Sequence, residues 1–163
     1  MVEVDVASVR FDPEEKAPIV ILKEKEGKSK RLLPIWVGVF EAFAIITELE
    51  KHPVIRPMTH DLLKSVIDNV GAELVSVLVS DLKDSTFYAE ITLRLRNGEA
   101  VKIDSRPSDA MALALRAQAP IYVSEKVMDG SSISPSVIEA DDKEQLKAVL
   151  ENLKPEDFGK YKV

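Results

Sequence analysis

Side chains able to do chemistry gather at three points of this chain. The first is "IDSRPSDAMALALR", where Asp104, Ser105, Arg106, Pro107, Ser108 and Asp109 crowd the junction between a β-type run and an Ala/Leu-rich helical run. A proline suits a first helical turn, a serine can cap it and an aspartate complements the dipole. Capping therefore accounts for Pro107, one of Ser105 or Ser108, and Asp109. Asp104 and Arg106 are left over, and an Arg106 ion pair with Asp104 or Asp109 is the plain alternative to a site. The second point is "RPMTHDLL", with Arg56, Thr59, His60 and Asp61. An imidazole in a first helical turn tends to stay neutral and can act as base or ligand, although a solvated histidine is the commoner case. The third is Glu41 within "LPIWVGVFEAFAI". An unpaired carboxylate in so apolar a run costs several kcal/mol, so Glu41 requires a partner or an edge position.

Carboxylates from separate segments that converge with a histidine can hold Mg²⁺ or Mn²⁺, which prefer oxygen ligands and polarise phosphate esters. Glu41, Asp104 and Asp109 are the candidate ligands, with Asp61 a further carboxylate for the set. His60 would then act as general acid or base and Arg106 would stabilise phosphate charge. Tyr88, Arg94 and Arg96 form a stripe on one strand face that can receive a phosphate and a stacked base, although a solvated sheet face is the commoner explanation of such a stripe. No Walker loop, GxGxxG, HExxH or GxSxG is present, so mononucleotide, dinucleotide, zincin and serine-hydrolase readings lack their local chemistry.

These residues must be positioned by regular elements, and the pattern supplies them. "VEVDVASVRF" places Val2, Val4 and Val6 on one face of a strand. "PIVILKEK" and "RLLPIWVG" predict a hairpin turning at Gly27. A helix apolar on most of its circumference follows from about Phe40 to Glu50. "MTHDLLKSVIDNVGA" predicts a second helix with Thr59 as N-cap, Asp61 in the first turn and Gly71 at the C-terminal cap. "AELVSVLVSD" and "TFYAEITLRLR" read as strands joined by the turn "LKDS", and Asn97-Gly98 predicts a hairpin into "EAVKIDS". The Ala-rich helix covers roughly 107–118, and "PIYVSE" is the last strand. The expected class is α+β: a mixed, largely antiparallel sheet with inserted helices in one domain over 1–128. Residues 129–163 read as a linker and a C-terminal helix in "DDKEQLKAVLENL".

With 163 residues, 45% of them hydrophobic, the chain can bury a core of ordinary size. A net charge of −6 excludes a long basic track for nucleic acid, so any such contact must be local and built from a few arginines. Without cysteine there are no disulfides, thiolate nucleophiles or zinc–cysteine sites. The N-terminus lacks the features of a signal peptide and no apolar run is long enough to span a bilayer, which leads to an expectation of a cytoplasmic protein with no membrane partner. Few Asn and Gln beside abundant Glu and Lys point to a heat-adapted source.

Five segments in order, "LPIWVGVFEAFAI", "RPMTHDLL", "VSDLKDSTFYAEI", "IDSRPSDAMALALR" and "APIYVSEKVM", resemble the bifunctional nuclease domain family over about Val2–Met128. The ending "LENLKPEDFGKY" is similar to that of bacterial members. The resemblance implies an α+β domain of unusual topology, a homo-oligomer and, from plant members, cleavage of RNA and DNA. Its motif positions here are Glu41, Arg56, Thr59, His60, Asp61, Asp81, Tyr88, Asp104, Arg106, Ser108 and Asp109. Two functions are thus expected. One is a metal-assisted phosphodiesterase using His60, Asp61, Asp104, Arg106 and Asp109, with Arg56, Thr59, Tyr88, Arg94 and Ser108 against substrate. The other is a non-catalytic homo-oligomeric scaffold or regulatory binder, whose sticky surface would come from the 40–50 helix, the Ala-rich helix and Trp36.

Overall fold

The computed structural model describes residues 1–12, 15–27 and 30–133. Among the described residues, seven strands form one sheet: β1 (Val2–Asp12), β2 (Ala17–Glu24), β3 (Leu32–Trp36), β4 (Glu73–Lys83), β5 (Thr86–Arg94), β6 (Ala100–Ser105) and β7 (Ile121–Val123). Their order is β3-β2-β1-β7-β4-β5-β6, and β4–β7 is the one parallel pair; the α+β, largely antiparallel expectation holds. Helices α1 (Val39–Leu49), α2 (Thr59–Asn69) and α3 (Pro107–Ala117) are inserted between strands, and the short α4 (Glu125–Ser131) follows β7. Beyond α4, Ile133 bridges to Leu32 of the edge strand. The helix expected in "DDKEQLKAVLENL" lies outside the described residues.

Turn chemistry joins the strands. Asp84 and Ser85 both take positive φ between the paired Lys83 and Thr86, as a tight two-residue hairpin requires. At Asn97-Gly98 the loop is one residue longer than the two-residue turn the dipeptide suggests. The Gly98 N–H donates to Leu95 C=O and the Leu95 N–H to Glu99 C=O, with Gly98 at φ +85, so β5 ends at Arg94. Gly71, at φ +75, follows the C-cap Val70 of α2 in the left-handed conformation that closes a helix without steric cost.

Two expected caps are replaced. Thr59 is the first residue of α2, not its N-cap; Met58 precedes it, and its N–H donates to Asp61 Oδ2 at 2.8 Å. The helix start is satisfied by a carboxylate reaching back from the first turn. At α3, Arg106 holds the N-cap position without a side-chain cap, and neither Ser105 nor Ser108 fills that role. Ser105 Oγ lies 3.0 Å from the Arg106 carbonyl and Ser108 is buried.

α3 is the centre of the molecule. It packs on α1, α2, β4 and β5, and the run Ala110–Ala114 is wholly buried. Four of its residues are alanine, which lets backbones approach closely, while Met111 and Leu113 fill the remaining volume. The Ala-rich helix is therefore interior to one copy of the chain and not a surface for self-association. Exposed apolar side chains lie elsewhere, on α2 and its C-cap (Leu62, Leu63, Val66, Val70), in the loop before it (Val54, Ile55) and at the start of α1 (Val39, Phe40). No helix of the described residues is long and apolar enough to cross a membrane.

Leu113→Ala removes a side chain with 0% exposure from the contact of α3 with its neighbours. Denaturant unfolding is expected to show a loss of about 2–5 kcal/mol, with an unchanged dependence on denaturant concentration.

Candidate functional site

The first turns of α1, α2 and α3 supply one ionic cluster, with Arg106 as its hub. Its Nε donates to Asp109 Oδ2 at 2.8 Å, and its Nη2 lies 2.7 Å from Glu41 Oε1. Asp109 Oδ1 in turn lies 3.1 Å from His60 Nε2. A continuous chain Glu41–Arg106–Asp109–His60 thus ties α1, α3 and α2 together. The side chains differ in access: Arg106 is 67% exposed, Asp109 30%, Glu41 17% and His60 11%. The hydrogen bond from Arg106 to Asp109, and the field of both carboxylates, raise the guanidinium further above its ordinary value, so Arg106 is a fixed cation.

A second arginine of α3 performs the buried half of the same task. Arg116 Nε donates to Asp61 Oδ1 at 2.5 Å, and its Nη1 donates to the carbonyls of Ala44 and Ala112. Its side chain is 5% exposed. Burial opposes the charged form of Asp61, but the Met58 N–H and the Arg116 guanidinium together outweigh it and hold the carboxyl below the usual range. Arg116 escaped the sequence reading. The signal was present, because it lies seven residues after Asp109 and shares a helical face with it.

Beside the cluster opens a cleft of about 390 Å³. It is lined by the end of β3 and the residues after it (Ile35–Gly38), the β4–β5 turn (Ser85–Phe87) and the β6–α3 junction (Arg106–Ser108). Trp36 is half exposed there and its Nε1 donates to Asp12 Oδ2 at 3.0 Å, which fixes the ring. Gly38, the N-cap of α1, leaves room for the Glu41 carboxylate to fold back over the helix start; a Cβ at that position would collide with Glu41 Oε2.

Glu41, His60, Arg106 and Asp109 are brought together, whereas Asp61 bonds Arg116 at the far end of α3; Ser108 is buried at the cleft wall. Asp104 is not with them. It pairs in register with Glu90 on the outer strand β6, and its neighbour Ile103 pairs with the core residue Ile91, so alternation turns Asp104 to the opposite face. Tyr88 lies on that outer face under Lys83, whose Nζ is 5.4 Å from the ring centre, and Arg94 Nη2 donates to Glu73 at 2.6 Å. Arg56 and Thr59 are exposed before and at the start of α2. Asp81 receives Lys126 at 2.8 Å and Lys83 at 3.0 Å; hydrogen bonds from these two lysines, Lys126 first, push its carboxyl well below the usual range. That arrangement clamps α4 onto β4.

The donor set does not fit a divalent ion as it stands. Glu41, Asp61 and Asp109 are each bonded to an arginine, and among the described residues no three His, Asp or Glu side chains are grouped so that they can share an ion.

Fold and cluster together define an α+β domain that presents one fixed cation, flanked by carboxylates and a histidine, at the edge of an aromatic-walled cleft. Residues 20–136 match the bifunctional nuclease domain, and the chain belongs to that family. An uncharacterized protein of Mycobacterium tuberculosis is 36% identical over 167 residues, covering 97% of this chain and 98% of its own length. Bifunctional nuclease 1 of Arabidopsis thaliana is 30% identical over 110 residues, 66% of this chain but 34% of the plant protein. Bifunctional nuclease 2 of Oryza sativa subsp. japonica is 30% identical over 108 residues, 65% of this chain and 33% of its own.

Asp61→Asn would leave Arg116 buried without a counter-charge, and unfolding at neutral pH is expected to show a loss of about 3 kcal/mol, the low end for a broken buried pair because Asp61 is partly exposed. A carboxyl with a depressed folded pKa contributes stability above its ordinary pKa and loses it as pH falls through the folded value. The wild type should therefore lose more stability than the variant on acidification, and the two should converge at acid pH.

Proposed function

We propose that the chain is a nuclease that hydrolyses phosphodiester bonds of RNA and DNA, with Arg106 as the group that meets the phosphate. The observation that carries this reading is the position of Arg106 in a member of the bifunctional nuclease domain family. Two carboxylates fix its plane, its side chain is 67% exposed, and its remaining edge borders the cleft. A guanidinium held in this way needs little reorganisation when charge builds on the phosphate oxygens. Asp109 is the proton acceptor for the attacking water, and His60 positions it through the Nε2 contact. Mg²⁺ or Mn²⁺ would reach Glu41 and Asp109 only by displacing Arg106 from between them, so the chain's own cation carries the phosphate-facing charge.

The local charge is consistent with contact at a single phosphate. Arg106 is bonded to two carboxylates, Glu41 and Asp109, so affinity must come from one oriented guanidinium and apolar contact in the cleft.

A second reading, a non-catalytic homo-oligomeric binder, is favoured by the outer face of α2. Leu62, Val66 and Val70 recur at helical spacing and are 60%, 50% and 63% exposed, and Ile55 beside them in sequence is fully exposed. Such a stripe is suited to a second copy of the chain. Assembly and catalysis are compatible, so activity decides between the readings.

The purified full chain is expected to cut single-stranded RNA and DNA, and Arg106→Ala and Asp109→Ala to lower kcat/KM at least about a hundredfold with folding intact. Absence of cleavage in the wild type, with and without added Mg²⁺ or Mn²⁺, would favour the binder. Light scattering should show a multimer that Leu62→Glu with Val66→Glu converts to monomer.

A further inference from the structure

We infer that the cleft beside Arg106 is a subsite for one unpaired nucleotide, with its base stacked on Trp36. The inference deepens the nuclease reading, on which the placement of phosphate at Arg106 rests. Single-strand binding of this kind combines an exposed aromatic face for the base with a nearby cation for the backbone, and Trp36 and Arg106 line the same cleft. Trp36 is 49% exposed and its ring is tethered through Nε1 to Asp12, so little orientational freedom is lost when a base arrives. Phe87 adds a second aromatic wall, and Ser85 brings to the cleft lining a hydroxyl whose hydrogen bonds to a base edge are not tied to one sequence.

The other aromatic–arginine grouping suggested by the sequence does not offer this combination. Arg94 is engaged by Glu73, Arg96 donates to the Asn69 carbonyl, and Tyr88 lies beneath Lys83. The size of the cleft sets the ligand class. About 390 Å³ lies near the small end of ligand pockets and suits a single nucleotide, not a base pair with both backbones. A base in a duplex would have to leave its stack before it could enter. The substrate class is therefore single-stranded nucleic acid or unpaired ends and loops, with little dependence on base identity.

Trp36 is the sole tryptophan, so its fluorescence reports on this contact directly. The full chain would be titrated with a phosphorothioate oligothymidylate, with an abasic oligomer of the same length, and with a blunt duplex. Quenching by the oligothymidylate, none by the abasic strand, and at least tenfold weaker response to the duplex are expected. Trp36→Ala should weaken single-strand binding about tenfold to a hundredfold, and Trp36→Phe should restore most of it, which separates stacking from folding. Cleavage that proceeds with unperturbed Trp36 fluorescence and an unchanged KM in Trp36→Ala would overturn the subsite and leave the nuclease reading standing. Base-dependent quenching without cleavage would do the reverse, and neither binding nor cleavage would remove both.

Discussion

Two arginines of one helix neutralise carboxylates brought by two others, and this pairing fixes the geometry of everything around it. Arg106 and Arg116 stand at opposite ends of α3, and between them the helix is buried to the last atom of Leu113. A body so tightly packed cannot tilt without opening voids. The guanidinium of Arg116 is therefore held against Asp61 and the Ala44 carbonyl, and that of Arg106 against Glu41 and Asp109. Each carboxylate, left alone at its level of burial, would be costly; each arginine gives it a partner. The two contacts differ in purpose as they differ in access. The Arg116 guanidinium is buried and acts as a bolt between helices, whereas that of Arg106 is exposed and can be shared with a ligand.

The apolar side of the site follows from the same placement. β3 ends at Trp36 and the chain turns at Gly38 into α1, which puts the indole and the Glu41 carboxylate on either side of a single glycine. The tight turn at Asp84 and Ser85 delivers Phe87 from the β4–β5 hairpin. Cation and aromatic surface then border one cleft, although they come from segments some seventy residues apart in sequence.

Much of this was legible in the sequence. Alternation locates the strands, the turns at Gly27, "LKDS" and Asn97-Gly98 locate the hairpins, and Glu41 stands out as a carboxylate that needs a partner. The caps were less readable, because Met58 and Arg106 take the N-cap positions that side-chain preference alone would give to Thr59 and to Ser105 or Ser108. Asp104 shows the limit most clearly. It is five residues from Asp109 in sequence, yet the strand-to-helix junction between them sends one side chain to each side of the sheet. Strand phase relative to a following helix is a tertiary property, and local pattern does not encode it. Trp36 was read as sticky surface because nothing local shows that an arginine seventy positions later closes the other end of its cleft.

Side-chain nitrogen NMR of the arginines tests the central claim most directly, since each guanidinium Nε–H reports separately on its own contacts. On titration with a thymidine dinucleotide, the account predicts that the Arg106 Nε–H resonance shifts in proportion to occupancy while those of Arg116 and Arg94 stay in place. Movement of Arg94 or Arg96 with Arg106 unchanged would contradict it, and would transfer the phosphate to the outer face of the sheet.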